Sequence, residues 1–388
     1  MSRIDDLIQE LCPSGVEYKQ LGDVGRVVRG KRFVKDDMID AGVPCVHYGE
    51  IYTKYGISAV QSISYVSHER ARTLRFAQQG DVIMTSAGET IEDIGKSVAW
   101  LGSEPIEIHD ACYAFSSSMD PKFVSYFFAS RLFRDQIRRS ISSSKISSIS
   151  TQNVAKARIP VPPLEVQREI VRVLDKFTQL EAELEAELEA RRAQYDHYRN
   201  AAAGKRNFSS GEWVPLSRVT DIRTGSKPPA ILNSGPVPYI NAGNEPSGFT
   251  SEPNVHGEAI TIPSRGQGGA GHVGYQSVDF WCGPLCYRIE SITDSFSTRF
   301  LYHYLKNIQE ELVGLRKVGS IPAVNKSDLG RVLVPVVSQS EQKRVIELLD
   351  RFDALVNDLS IGLPAELAAR RKQLEYYRDR LLTFKEAA

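Results

Sequence analysis

Apolar positions after residue 164 fall in steps of three and four: Ile170, Val173, Leu174, Phe177, Leu180, Leu184 and Leu188, then Tyr195 and Tyr198. That spacing places them on one face of a helix. Pro160, Pro162 and Pro163 fix φ and bar a helix before Leu164. Neither Pro nor Gly follows until Gly204. The pattern predicts one long helix of coiled-coil type, about 50–60 Å at roughly 1.5 Å per residue. A small domain cannot bury so long a stripe, so the helix needs a partner.

A second copy of the pattern supplies one. From Val334 onward, Pro335 stands where Pro160 did and Gln342 where Gln167 did, and Leu349-Asp350-Arg351-Phe352 repeats Leu174-Asp175-Lys176-Phe177. Arg370-Arg371-Lys372-Gln373 then repeats Arg191-Arg192-Ala193-Gln194, and Tyr377-Arg378 repeats Tyr198-Arg199. The offset is 175 residues before the middle of the copy and 179 after it. Four extra residues therefore sit at or near Ser360 to Pro364, a stutter that locally unwinds a coiled coil. Pro364 behind Gly362 predicts a kink or break there.

The rest of the chain repeats as well. Residues 2–11 form an amphipathic pattern with Ile4, Leu7, Ile8 and Leu11 on one side. Ser14-Gly15, Tyr18, Leu21 and Gly30 are matched by Ser210-Gly211, Trp213, Leu216 and Gly225, each set reading as strand, turn and second strand ending in a Gly loop. Short strands are predicted at Val43 to Val46 and Val237 to Ile240, and at Asp81 to Met84 and Ala259 to Ile262. Amphipathic helices follow at Phe123 to Arg139 and Thr298 to Leu312, the first with Asp120 as N-cap and Pro121 at its first position.

The predicted fold is α+β, a tandem duplication with cyclic order. Two similar mixed α/β domains, 1–158 and 206–333, are separated by two long antiparallel coiled-coil helices, 159–205 and 334–388. Together these form a pseudo-twofold body.

Bulk composition narrows the function classes. The chain has 388 residues, more than one core usually holds, and is 41% hydrophobic and 25% charged, as soluble proteins are. Lys+Arg and Asp+Glu are both 48, so total charge points to no polyanion, while leaving room for local basic faces. No run of eighteen apolar residues is present and the start lacks a signal-peptide core, so the expected location is the cytoplasm, with no membrane contact. Five scattered Cys fit reduced thiols, and Cys282 with Cys286 lacks the second pair of a zinc site.

Catalytic motifs are weak throughout. Gly266 to Gly271 satisfies GxGxxG, but the following HVGYQSVDFW reads as strand rather than helix. Gly95-Lys96-Ser97 resembles the end of a P-loop, and Thr90 stands where its first Gly would be. Lys227-Pro228-Pro229-Ala230 lacks the Asn and the aromatic of a DNA methyltransferase run. His47 and His272 read as structural or surface residues. No catalytic residue, metal or cofactor is expected.

The matched positions are apolar, Gly or Pro, whereas the loops between them differ, which suggests one binding mode with two specificities. Loop residues of the types that hold phosphates and read base edges are the candidates for DNA contact. In the first domain they are Lys31, Arg32, Lys35 and Lys96, with Ser142, Ser143, Ser144 and Lys145. In the second they are Ser226, Lys227, Asn241, Asn244, Arg265, Gln267 and Lys326. Leu174, Phe177, Leu184, Leu188, Tyr198, Leu349, Phe352 and Tyr377 are the candidates for helix pairing and partner docking.

Three runs together resemble the specificity subunits of type I restriction–modification enzymes. They are Ile159-Pro160-x-Pro162-Pro163-Leu164-x-x-Gln167-x-x-Ile170, the repeated Glu-Ala-Glu-Leu at 181–188, and Gly362-Leu363-Pro364-Ala365-Glu366 through Arg370-Arg371-Lys372-Gln373 with Tyr376-Tyr377-Arg378. The resemblance spans the whole chain. It implies two target-recognition domains that each read half of a bipartite site in double-stranded DNA. It also implies assembly with two modification (methyltransferase) subunits and two restriction (motor-nuclease) subunits. Ala201-Ala202-Ala203-Gly204 and Val337-Ser338 depart from the pattern. Two other classes remain open to the residues alone: a coiled-coil adaptor that never touches DNA, and a stand-alone DNA-modifying enzyme.

Overall fold

The computed structural model of the chain describes residues 3–142, 147–204, 208, 211–243, 245–266, 269–317, 322–358 and 361–387. It divides into two compact units, Met1–Glu183 with Leu367–Ala388, and Leu184–Glu366.

In the first unit the helix Arg3–Leu11 buries Ile4, and the strand Tyr18–Gln20 pairs antiparallel with Arg158–Pro160. The predicted turn after Tyr18 is one turn of helix, Leu21–Val24, with Leu21 fully buried. A five-stranded sheet follows in the order Gly25–Arg29, Cys112–Ser117, Val82–Thr85, Ser97–Trp100, Ser58–Ala59. A second runs Met38–Ile39, Ser64–Val66, Val43–Val46, Ile106–Ile108, Phe76–Ala77. Val82–Thr85 is buried at every position, as a strand flanked on both faces must be.

The second unit uses the same order, with fewer strands among the described residues. Trp213–Pro215 pairs with Leu333–Pro335. One sheet runs Thr220–Thr224, Cys286–Ser291, Ala259–Pro263, Gly274–Gln276, and the other Phe249–Thr250, Val237–Ile240, Trp281–Cys282.

The helix expected from Phe123 to Arg139 is two, Pro121–Ala129 and Arg131–Arg138. Ser130 separates them because its backbone is extended and its hydroxyl accepts from Phe133 N while donating to the Phe127 carbonyl. The stretch from Thr298 is likewise broken, at Ile308, into Thr298–Asn307 and Gln309–Gly314.

The long helix runs Leu164–Ala203 without interruption, 40 residues that begin directly behind the prolines. Val166, Ile170 and Leu174 are buried in the first unit's core with Phe123, Phe127 and Leu382. Leu180, expected on the same stripe, is 48% exposed, so nothing covers the stripe at that position. Its counterpart is two helices, Gln339–Asn357 and Leu363–Leu381. Gly362 stands at the break, where a Cβ would lie 2.6 Å from the Ala354 carbonyl. In the first unit Phe177 stacks on Tyr377 at 5.0 Å between centroids and Arg371 pairs with Glu181 at 2.8 Å, so the two helices run antiparallel. In the second, Tyr195 and Tyr198 stack against Phe352.

Each helix is joined to its globular part by the same two devices. Gln167 Oε1 accepts from Asp120 N at 2.9 Å, and its Nε2 donates to the Pro162 carbonyl at 2.7 Å. Gln342 Oε1 accepts from Ser297 N at 2.8 Å, and its Nε2 donates to the carbonyls of Ser295 and Val337. Asp175 takes Lys122 and the Tyr126 hydroxyl, whereas Asp350 takes Arg299 and His303 Nε2, both at 2.7 Å. Repeated side chains thus fix repeated joints, with only the donors exchanged.

Candidate nucleic-acid interface

The loop that begins at Gly30 is pinned by backbone hydrogen bonds. Gly30 N donates to the Cys112 carbonyl at 3.0 Å and Lys31 N to the Ile108 carbonyl at 3.1 Å. A Cβ on Gly30 would sit 2.2 Å from the His109 carbonyl oxygen, so the approach requires glycine. The second unit repeats the pin: Gly225 N donates to Cys286 O at 3.1 Å and Ser226 N to Cys282 O at 3.0 Å. There a Cβ would meet the Cys282 carbonyl at 2.1 Å. The neighbouring turns match too, with His109 N bonded to Val46 O and Gly283 N to Ile240 O. On this common frame Lys31-Arg32 and Ser226-Lys227 occupy equivalent, exposed places.

Around the first pin the side chains are aromatic. His47 and His109 lie 4.5 Å apart between ring centroids, Tyr48 lies 5.2 Å from His109, and Tyr52 lies 6.2 Å from Tyr48. Lys96 stands over the Tyr52 ring and pairs with Asp93 at 3.0 Å. Burial, His109 and then Lys35 push the His47 pKa down to about 4. Burial, with Arg32 and Arg29 adding to it against Asp110, also lowers that of His109. Both rings are therefore neutral at pH 7, and each Nδ1 accepts a backbone N–H, from Gly49 and from Ala111. Arg32, Lys35 and Lys96 thus stand near one aromatic cluster in which the two His are buried and Tyr48 and Tyr52 are half-buried, with cations and rings of the kinds that meet phosphates and base faces.

Around the second pin the groups are two amides and an indole, Trp281, whose Nε1 donates to the Ser226 carbonyl at 2.8 Å. Asn254 Nδ2 donates to Ser226 Oγ and to the Cys282 carbonyl, and its Oδ1 accepts from Cys282 N at 2.7 Å. Asn241 Oδ1 accepts from Leu285 N at 2.9 Å, which fixes one end of that amide within the frame. The Asn241–Gly243 turn abuts the Gly-rich loop, since a Cβ on Gly266 or Gly269 would meet the Ala242 carbonyl at 3.0 or 2.2 Å. Arg265 is exposed at that loop and bridges Ala323, while exposed Lys326 opens the short helix Lys326–Gly330. Ser143, Ser144, Lys145, Asn244 and Gln267 lie outside the described residues.

Among the spacer residues, Leu174, Leu188 and Leu349 are buried. Leu184, Phe177, Phe352 and Tyr377 are half-buried, and Tyr198 is 37% exposed. Sequence reasoning noted the repeated Gln167/Gln342 and Asp175/Asp350 without assigning them work. Their constant offset was the available signal. Among the described residues no group of three or more His, Cys, Asp or Glu is placed to hold a metal, and no helix is long and apolar enough to cross a membrane.

Residues 13–190 and 211–369 each match the family model of the type I restriction modification DNA specificity domain. The chain belongs to that family. It carries the specificity domain twice, one copy in each set of strands described above. A type I restriction enzyme specificity subunit of Escherichia coli is 29% identical over 265 residues, covering 60% of this chain and 64% of that protein. A protein of Haemophilus influenzae described as a type I restriction enzyme specificity subunit is 24% identical over 406 aligned positions, covering 96% of both chains. The crystal structure of a type I restriction–modification S subunit from M. genitalium has the same fold, with a TM-score of 0.62 at 16% identity over 95% of this chain and 96% of that one.

Proposed function

We propose that the protein is the non-catalytic DNA-reading subunit of a type I restriction–modification complex. Each specificity domain reads one half of a bipartite site in double-stranded DNA. The long helices set the gap between the halves and dock two modification subunits, which methylate adenine, and two restriction subunits. The observation that carries this reading is one frame with two sets of loops. The pins at Gly30 and Gly225 repeat the same backbone hydrogen bonds, whereas one is ringed by His and Tyr and the other by Asn amides and Trp281. A constant frame holds the duplex in a constant way, and unlike loops give unlike base preferences.

The test is methylation by the chain co-assembled with its modification subunit, followed by sequencing of the methylated positions. Two unlike half-sites separated by a fixed number of unread base pairs are expected. Replacing Arg265 by Ala should alter preference within one half-site and leave the other untouched. Equal loss on every sequence would make Arg265 a phosphate contact. Methyl transfer by the isolated chain, or a complex that ignores DNA sequence, would refute the reading.

A further inference from the structure

A cavity of about 700 Å³ lies within the second unit, walled by the last turns of the long helix, by Thr298–Asn307 and by the strands Ala259–Pro263 and Gly274–Gln276. Arg192 and Arg199 of the long helix line it, together with Lys306 and the rings of Tyr195, Tyr275 and Tyr302. Lys306 is half-buried, and its hydrogen bonds among the described residues go to uncharged oxygens, the Val273 carbonyl at 3.2 Å and Gln309 Oε1 at 3.1 Å. Arg199 lies over the Tyr195 ring, its Nη2 paired with Asp196 at 2.8 Å. Its Nε is buried without a hydrogen-bond partner among the described residues.

Two carboxylates share the cavity, and neither is bonded to Lys306. Asp196 is taken by Arg199, and Asp353 accepts from Asn357 Nδ2 at 2.8 Å and from the Tyr195 hydroxyl at 3.4 Å. Burial lowers the Lys306 pKa, and Arg199 lowers it further against the opposing pull of Asp353. An ammonium desolvated beside a guanidinium works against its own electrostatics, and buried charges are normally paired. What would relieve it is an anion with several acceptor oxygens, the geometry that Lys and Arg grip best. Gly243 and His272 line the same walls, and Gly243 belongs to the turn Asn241–Gly243, which meets the Gly-rich loop at Gly266 and Gly269 and carries Asn241, a candidate for DNA contact.

We propose that this cavity seats a backbone phosphate of the bound duplex, gripped by Lys306 and Arg199 with exposed Arg192 beside them, so that the spacer helix itself holds DNA. This rests on the reading of the chain as a DNA-sequence reader. The grip is blind to sequence, because phosphates are common to all sites.

The experiment uses the assembled methyltransferase carrying the full-length chain, wild type or with Lys306→Met, Lys306→Arg or Arg192→Ala. Lys306→Met should weaken binding to every duplex by the same factor, about three- to tenfold, and reduce the slope of log K against log salt by roughly one. The methylated sequence should not change, and Lys306→Arg should restore most of the affinity. The Tm of the chain should hold or rise, since Met fills the space without a buried charge. A neutral methylphosphonate linkage at one position beside the second half-site should weaken the wild type and leave Lys306→Met unaffected.

Affinity and slope unchanged in Lys306→Met would overturn the assignment, as would a loss that tracks a fall in Tm. If no linkage discriminates, while inorganic phosphate raises the Tm of the wild type and not of Lys306→Met, the cavity takes a free anion and the DNA assignment is wrong. A wild-type complex with no salt-dependent DNA binding would instead sink the DNA-reading function itself.

Discussion

At the scale of single residues, the two pins make sharp demands. Gly30→Ala places a methyl 2.2 Å from one carbonyl oxygen and 2.3 Å from another, and Gly225→Ala places one 2.1 Å from the Cys282 carbonyl. Backbone on both sides must move, so each should cost about 2–3 kcal/mol or more. Gly56→Ala, where a Cβ meets nothing within 4 Å, is the control and should stay within about 0.5 kcal/mol. Urea midpoints of the three variants decide it. Equal midpoints for Gly30→Ala and Gly56→Ala would show that the pin is soft.

Glu107 gives a pH signature in the first unit. Burial pushes its carboxyl up from 4.5 to about 7, and its Oε2 has no hydrogen-bond partner among the described residues. The folded state therefore holds a proton that the unfolded chain releases between pH 4.5 and 7, and stability from this group falls as pH rises through that window. His47 acts oppositely. Its pKa is lowered to about 4, so its contribution is complete above pH 6.5 and lost toward pH 4. Glu107→Gln isolates the first effect. The variant should match the wild type at pH 5 and exceed it by about 2–3 kcal/mol at pH 8. A difference independent of pH would mean that Glu107 ionises normally. The pinning glycines were legible in the sequence as matched positions, because a close approach admits one residue type. Glu107 was not, because burial of a lone polar residue in a short strand leaves no pattern.

At the scale of elements, the prolines before Leu164 and the uninterrupted stretch behind them made the long helix readable to within a residue or two. The stripe's continuity was not readable. Leu180 fits the period and is exposed, since period fixes a face but not whether anything covers it. The breaks at Ser130 and Ile308 escaped for a related reason. Apolar spacing continues across them, while the backbone there departs from helix. The stutter near Pro364 was visible because two copies of one pattern differ in length.

The repeated glutamines argue a further prediction at this scale. Gln342→Ala leaves Ser297 N–H and the carbonyls of Ser295 and Val337 without their partner, and Gln167→Ala does the same to Asp120 N–H and the Pro162 carbonyl. Each should cost about 1–3 kcal/mol, the penalty of leaving buried polar groups unmade. Thermal unfolding of the two variants should fall by similar amounts, since the joints are built alike. A loss in one and none in the other would show that the repeat is kept in sequence but not in energy.

At the scale of the whole molecule, duplication explains why a chain of balanced charge, whose catalytic motifs are weak, can still be read. A frame that appears twice is separated from what varies between its copies, and the varying part is where specificity must reside. The same logic applies to the Glu-Ala-Glu-Leu repeat at 181–188, two copies of a unit with one half-buried and one buried leucine, Leu184 and Leu188. Removing Glu185 to Leu188 shortens the helix by about 6 Å and advances its face by only about 40°, because four residues exceed one turn of 3.6 slightly. The seam can therefore re-form with Leu184 in the place of Leu188. If helix length sets the gap, the deletion should shorten the preferred spacing by about two base pairs, at roughly 3.4 Å per pair, and leave both half-sites as they were. Sequencing the positions methylated by the deleted complex reads gap and half-sites in one experiment. An unchanged gap with methylation retained would mean that the helix does not measure the DNA.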